Sequence, residues 1–283
     1  MFLSSNKLSE LRIYFLEQLE GIYPEREINN IFFLINDVKY GRSKFESSGD
    51  SIRISESEIL FWNTALKRLK KNEPVQYILG KTDFHNVEIF VSSATLIPRP
   101  ETEELVELIL NTVEVNNAKC IDLGTGSACI PIALKKARDS WSIKGIDISE
   151  DALRFARNSA ILNKVEVDFQ CEDIFELNLD EKYDVIVSNP PYIPISEKDK
   201  MRKNVYEFEP DIALFVPEND PLLFYEAIVG LAIATLKETG YLFFEIHEDL
   251  SNHVVALLKE NDFSRVEVRQ DLQGKNRMVL ARR

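Results

Sequence analysis

The run Ser188-Asn189-Pro190-Pro191-Tyr192-Ile193-Pro194 holds the residue types most suited to chemistry. Asn189 precedes a proline, which steers it to an extended backbone. Pro190 and Pro191 fix φ and lack N–H groups. The run is therefore a stiff presentation of a carboxamide oxygen, backbone carbonyls and one aromatic ring. A planar –NH2 group, as in an amide or an adenine, has a delocalised lone pair and is a poor nucleophile. Two acceptors, Asn189 Oδ1 and the Pro190 carbonyl, suit its two N–H bonds, and Tyr192 suits stacking on its plane. Asn189, Pro190, Pro191 and Tyr192 are thus candidate substrate contacts, with Asn189, Pro190 and Tyr192 the catalytic ones. Fixing the nitrogen before an electrophile lowers a barrier by on the order of several kcal/mol. The same acceptors favour the positive charge that develops on nitrogen.

The electrophile needs its own holder, and Asp122-Leu123-Gly124-Thr125-Gly126-Ser127-Ala128 is the candidate. Glycines between a strand and a helix let backbone approach a ligand, and the helix start offers free N–H groups. A dinucleotide fingerprint would place a third glycine at position 129, where this chain has Cys129. Asp122, at the strand tip, suits a cationic or hydroxyl-bearing ligand. Asp147 ends the next strand and is placed to accept both hydroxyls of a ribose. Its alternative is a helix N-cap, a task Ser149 is also able to perform. Asp173, followed by Ile174, succeeds the third strand and suits an adenine amino group, or is an ordinary loop carboxylate. Asn189 closes the cofactor-binding set Asp122, Leu123, Gly124, Thr125, Gly126, Asp147, Asp173, Ile174 and Asn189.

The elements that must position these residues follow from periodicity. From residue 119 onward, short apolar strands alternate with amphipathic helices. Strands are predicted at 119–123, 141–147, 165–170, 183–188 and 241–246, and helices at 128–137, 150–162, 221–236 and 249–261. This pattern means an α/β fold with a mostly parallel sheet covered on both faces. Two final strands, 265–270 and 278–281, are joined by a short link containing Gly274 and should pair antiparallel. A helix follows Pro100-Glu101-Thr102-Glu103-Glu104, its acidic first turn favoured by the macrodipole. Residues 76–100 carry strand alternation at Val87, Ile89 and Val91 and read as a hairpin linker. Residues 1–75 read as a small helical bundle. Leu8, Leu11, Phe15, Leu16 and Leu19 have helical spacing. Pro24 opens a second helix, and Ser55 with Glu58 forms a capping box for a third. Gly41 to Asp50 is a polar connector.

Composition narrows the function classes. The chain has 283 residues and a net charge of −13. Residues 1–75 balance 11 basic against 11 acidic side chains, so the excess falls entirely on residues 76–283. A field of that sign repels a phosphate backbone, and no dense Lys/Arg run offsets it. The longest nearly apolar run, Ile228 to Leu236, is far short of a membrane span of roughly 20 residues. The opening Met1 to Lys7 does not read as a signal peptide. Three cysteines without a C-x-x-C pattern suggest reduced thiols in a cytoplasmic protein. Three scattered histidines offer no metal site, so none is expected.

With these motifs together, the sequence resembles the class I S-adenosylmethionine-dependent methyltransferases that carry N-P-P-Y. More closely, it is similar to the glutamine-N5 methyltransferases of peptide chain release factors, the HemK type. The resemblance includes Pro74 to Gly80, Ile97-Pro98-Arg99-Pro100-Glu101-Thr102-Glu103, Asp122 to Ser127, Gly145 to Ser149, Ser188 to Ile193, Glu209-Pro210, Ala213-Leu214 and Asp271 to Arg277. It implies a helical N-terminal substrate-docking domain (1–75), a hairpin linker (76–100) and a seven-stranded Rossmann-like methyltransferase domain (101–283). It implies S-adenosyl-L-methionine as cofactor, with its methionine part on the Gly124–Gly126 turn and its ribose on Asp147. It places the glutamine of a release factor's Gly-Gly-Gln loop against Asn189 to Tyr192, with residues 195–218 as a lid or substrate-contacting loop. The expected reaction is direct in-line transfer by a monomer, without metal or covalent enzyme intermediate.

The motif alone also admits a ribosomal-protein glutamine or a flipped adenine or cytosine as acceptor, since each presents a planar –NH2. The −13 charge disfavours the nucleic acid, and intact Asn189 and Asp147 disfavour a non-catalytic binding protein. Three positions depart from the family pattern. Ala128 stands for a frequent glycine, with little effect expected. His247 and Leu250 alter the loop after the 241–246 strand, where His247 is read as a loop histidine and not a base.

Overall fold

The computed structural model describes residues 5–43, 46 and 51–283. Six positions of the polar connector, 44, 45 and 47–50, therefore lie outside the described residues. The chain divides into two compact units. One runs through Gly80 and includes Arg202–Phe208; the other comprises Lys81–Met201 and Glu209–Arg283.

The first unit contains helices α1 (Leu8–Leu19), α2 (Glu25–Tyr40), α3 (Glu56–Leu69) and the short α4 (Val75–Leu79). Pro24 stands just before α2, and Gly41 ends it in the left-handed region at φ 62°. The capping box of α3 is reciprocal. Ser55 Oγ accepts from the Glu58 N–H at 3.3 Å, and Glu58 Oε2 accepts from the Ser55 N–H at 2.8 Å. The apolar faces meet around Trp62, which stacks on Phe32 at 4.9 Å and takes Phe15 edge-on at 5.2 Å.

The second unit begins with the hairpin β1 (Lys81–Phe84) and β2 (Val87–Phe90) and helix α5 (Pro100–Thr112). It continues through β3 (Lys119–Leu123), α6 (Cys129–Ala137), β4 (Ser142–Asp147), α7 (Glu150–Asn163), β5 (Asp168–Cys171) and β6 (Tyr183–Ser188). Two two-residue strands follow, β7 (Ile193–Pro194) and β8 (Phe215–Val216). The unit ends with α8 (Leu223–Thr235), β9 (Leu236–Glu245), α9 (Ser251–Glu260), β10 (Arg265–Gln270) and β11 (Asn276–Arg282). The main sheet has seven strands in the order β10-β11-β9-β6-β3-β4-β5. Pairing is parallel from β9 to β5, and β11 is antiparallel to both β9 and β10. All six residues of β6 are buried, as a central strand covered on both faces requires.

The hairpin is fastened to α7. The Phe90 N–H donates to Ser159 Oγ at 2.9 Å, and Asn163 holds both the N–H and the carbonyl of Glu88 at 3.2 and 2.7 Å. Several boundaries differ from expectation: the strand predicted at 165–170 is Asp168–Cys171, and the strand predicted from residue 241 begins at Leu236. The helix predicted through Leu236 ends at Thr235, and Leu236 already pairs with Tyr183 as the first residue of β9. The register then shifts, and Val185 pairs with Tyr241. Residues 237–240 form an irregular insert in one strand. Gly240 is needed there, because a Cβ would lie 2.8 Å from Leu236 Cγ.

Candidate active site

The strand order reverses around β3: β4 and β5 extend to one side, β6 and β9 to the other. The carboxyl ends of such neighbours leave a crevice. It is bordered by Leu123–Ser127, Asp147–Ser149, Glu172–Phe175 and Asn189–Pro191. Pro98, Arg99, Thr102, Pro210, Ile212 and Phe224 also border it. Two motifs 65 residues apart are tied directly, because buried Ser188 Oγ donates to the Leu123 carbonyl at 2.6 Å.

The turn after β3 is held from below. The N–H groups of Gly124 and Thr125 donate to the Ile146 carbonyl at 2.9 and 2.8 Å. Thr125 Oγ1 donates to Asp122 Oδ2 at 2.6 Å. Gly124 and Gly126 have φ of 75° and 54°, and a Cβ on either would meet no atom within 4 Å. Their backbone faces open space, as a ligand cradle requires. Asp122 lies beneath the turn and does not border the cleft. Its Oδ1 is buried without a partner among the described residues. Burial pushes this carboxyl up to about 7, Asp147 adds to the shift and the Thr125 bond opposes it.

Asp147 borders the cleft at the tip of β4. Its Oδ2 accepts from the Gly126 N–H at 2.7 Å and its Oδ1 from the Ser149 N–H at 2.9 Å. The helix cap belongs to Ser149, whose Oγ accepts from the Ala152 N–H at 3.2 Å. Burial raises the Asp147 carboxyl, against the lowering effect of its backbone donors. Asp173 and Ile174 also border the cleft, and Asp173 Oδ1 accepts from the Phe175 N–H at 2.9 Å. Ile148 and Phe175, each about half exposed (50% and 49%), offer apolar walls. Phe175 meets Phe224 at 5.3 Å.

Asn189, Pro190 and Pro191 border the same cleft. Tyr192 does not. It packs against the main core, its ring 5.8 Å from that of His247, and burial raises its phenol far above the ordinary value. His247 Nδ1 accepts from the Asp249 N–H at 3.3 Å, and Leu250 packs against the core. Both altered positions therefore serve the loop that backs Tyr192. Ala128 has φ 62° and is wholly buried. The conformation, rather than the space, accounts for a glycine preference there.

The sequence reading missed Thr102 and Glu245. Thr102 Oγ1 donates to Glu245 Oε2 at 2.6 Å and accepts from Asn189 Nδ2 at 3.3 Å. Glu245 is 2% exposed, and burial pushes it up to about 7. An acidic residue directly after the apolar run Tyr241–Phe244 was the available signal. Nearby, Glu209 receives Arg99 at 2.6 Å and the Ile97 N–H at 3.2 Å, which fixes the Pro98–Pro100 segment. Among the described residues, no group of three His, Cys, Asp or Glu is placed to hold a metal. No described helix is long and apolar enough to cross a membrane.

Known proteins resemble this chain in sequence and in fold. The family model described as "Methyltransferase small domain" matches residues 98–207. A Flavobacterium psychrophilum protein named release factor glutamine methyltransferase is 39% identical over 278 residues, covering 96% of this chain and 98% of the relative. This chain belongs to the release factor glutamine methyltransferase family. A second member, from Bacteroides thetaiotaomicron, is 36% identical and covers 98% of this chain and 100% of the relative. Among solved structures, a methyltransferase from Pyrococcus furiosus superposes with a TM-score of 0.52 at 18% identity, over 69% of this chain and 87% of that one. It shares the fold, and the family's motifs fall on the tips of β3, β4 and β6.

Proposed function

We propose that this chain transfers a methyl group from S-adenosyl-L-methionine to the side-chain amide nitrogen (N5) of the glutamine in a release factor's Gly-Gly-Gln motif. The observation that carries this reading is the meeting of Asn189–Pro191 and the Gly124–Gly126 turn in one cleft. Near-full-length similarity to named release factor glutamine methyltransferases supports the substrate. The residues present fit the cofactor. Asp122 holds the turn from beneath through Thr125, and the glycine cradle suits close backbone approach. Asp147 keeps free lone pairs for a ribose, while Asp173 and Ile174, between Ile148 and Phe175, suit an adenine. When bound, the cofactor supplies a methyl carbon attached to a sulfonium and hence electrophilic.

The chain's own residues do the rest. Asn189 Oδ1 and the Pro190 carbonyl accept the two N–H bonds of the substrate amide and aim its nitrogen. They stabilise the positive charge that develops there, and the methylated nitrogen then gives up its extra proton to water. Pro191 stiffens the clamp, and Tyr192 braces it from the core side. Arg99, Pro210 and Ile212 border the opening, where part of the 195–218 loop would contact substrate. The helical N-terminal unit is the proposed docking surface for the protein. The protein acts as a monomer, and the reaction belongs in the cytoplasm, where translation terminates.

The test is transfer of labelled methyl to purified release factor, ribosomal protein and RNA side by side, followed by mass spectrometry of the modified peptide. Label on the Gly-Gly-Gln glutamine is expected; label on RNA or ribosomal protein alone would overturn the reading. Asn189→Ala should lower kcat by about a hundredfold or more while cofactor Kd stays within a few-fold. Near-normal turnover in that variant would remove the role given to Asn189.

A further inference from the structure

The three-residue chain behind the clamp has a direction, and the direction matters. A threonine hydroxyl has one proton to give. Thr102 Oγ1 gives its proton to Glu245 Oε2, at 2.6 Å. Toward Asn189 it is then only an acceptor. A carboxamide has one end that donates and one that accepts, so only Nδ2 can face Thr102, as it does at 3.3 Å. Oδ1 is left to face the other way. We propose that Thr102 and Glu245 are positioning residues that lock the Asn189 carboxamide so that its oxygen, not its NH2, meets the substrate amide. The flipped carboxamide would set NH2 against NH2, and the clamp would lose an acceptor. This inference rests on the functional reading above and adds residues that it does not require.

The surroundings of Glu245 support the lock. Arg277, at the start of β11, and Arg99, before α5, lower its carboxyl, while Glu101 in α5 raises it. Tyr192 and Tyr225 face it as neutral phenols, Cys129 on α6 lies within its field as a neutral thiol, and Tyr225 donates to the Glu245 carbonyl at 3.2 Å. Arg277 is itself anchored by Asp271 at 3.3 Å and by the Ile246 carbonyl at 3.2 Å. A protonated Glu245 no longer needs the Thr102 proton. The hydroxyl is then free to donate to Oδ1, and both carboxamide orientations become available.

The test compares Thr102→Val, Thr102→Ser and Glu245→Gln with the wild-type chain. Each is checked for an unchanged thermal melt and for S-adenosylmethionine affinity by calorimetry. In Thr102→Val, kcat on release factor should fall about tenfold or more with cofactor Kd within a few-fold. Thr102→Ser, which keeps the hydroxyl, should recover most of the loss. The wild-type kcat should rise with pH through about 7, and Glu245→Gln should flatten that limb. Independently of any substrate, the Asn189 side-chain NH2 should give one pair of NMR resonances in the wild type and a split or broadened pair in Thr102→Val. Wild-type turnover in Thr102→Val, equal losses in Val and Ser variants, or an unaltered pH limb in Glu245→Gln would each overturn the lock. A wild-type chain inactive on release factor sinks the functional reading instead, and the NMR comparison then decides the lock alone.

Discussion

Asp147 spends one lone pair of each carboxylate oxygen on a backbone N–H, from Gly126 and from Ser149. Both oxygens retain capacity toward the cleft. Removing the side chain takes away the proposed ribose acceptors and leaves two backbone donors unmatched. Asp147→Ala should therefore weaken S-adenosylmethionine binding by about 10- to 100-fold, measured by calorimetry. Asp122 acts differently, because burial lifts its carboxyl to about 7, so that it is neutral below that pH and charged above it. Its charged form is the stronger acceptor for the Thr125 hydroxyl that holds the cofactor turn in place. Cofactor affinity should rise as pH goes from 6 to 8, and Asp122→Asn should abolish the slope. An equal slope in that variant would assign the pH dependence elsewhere.

At the scale of elements, β3 and β6 are positioned by bonds that no local pattern reveals. Ser188 reaches the Leu123 carbonyl, and Asp184 accepts from the Lys119 N–H and from Lys237, each at 2.8 Å. On β4, Gly145 leaves room for the Thr125 side chain; an added Cβ would lie 3.1 Å from Thr125 Oγ1 and 3.0 Å from Phe169. Gly145→Ala should push Thr125 off Asp122 and cost about 1–2 kcal/mol in urea unfolding, with weaker cofactor binding. The capping box of α3 and the glycine turn were legible in the sequence because each is written within a few residues. The start of β9 at Leu236 was not, because the apolar run Ile228–Leu236 has no period to separate buried helix from buried strand. Thr102 and Glu245, 143 residues apart, met only once the sheet had formed. Tyr192 was legible as part of a motif, but its burial beside His247 depends on a loop that departs from the family pattern.

For the whole molecule, buried carboxyls with raised values, Glu245 and Asp122 among them, set a pH dependence of folding. In the folded chain, burial moves Glu245 from an ordinary 4.5 to about 7. Its contribution to stability is fully present below the unfolded-state value and is lost as pH rises through about 7. Between pH 5 and 8, wild type should therefore lose on the order of 3 kcal/mol more than Glu245→Gln in urea unfolding. Asp122 acts in the same direction. Equal losses in the two proteins would place Glu245 near its ordinary value. The uneven charge, neutral over residues 1–75 and −13 beyond, was legible at once from composition. The meeting of the clamp and the glycine cradle in one cleft required the strand order.

Ala128 adds a constraint on how this chain is able to change. Its methyl is fully enclosed while its backbone sits at φ 62°. Trading it for glycine would relax the backbone and open a methyl-sized void. A branched side chain would strain the first and overfill the second. Drift at this site is thus confined to a narrow exchange between the two smallest residues, and the turn beneath the cradle inherits that rigidity whatever varies around it.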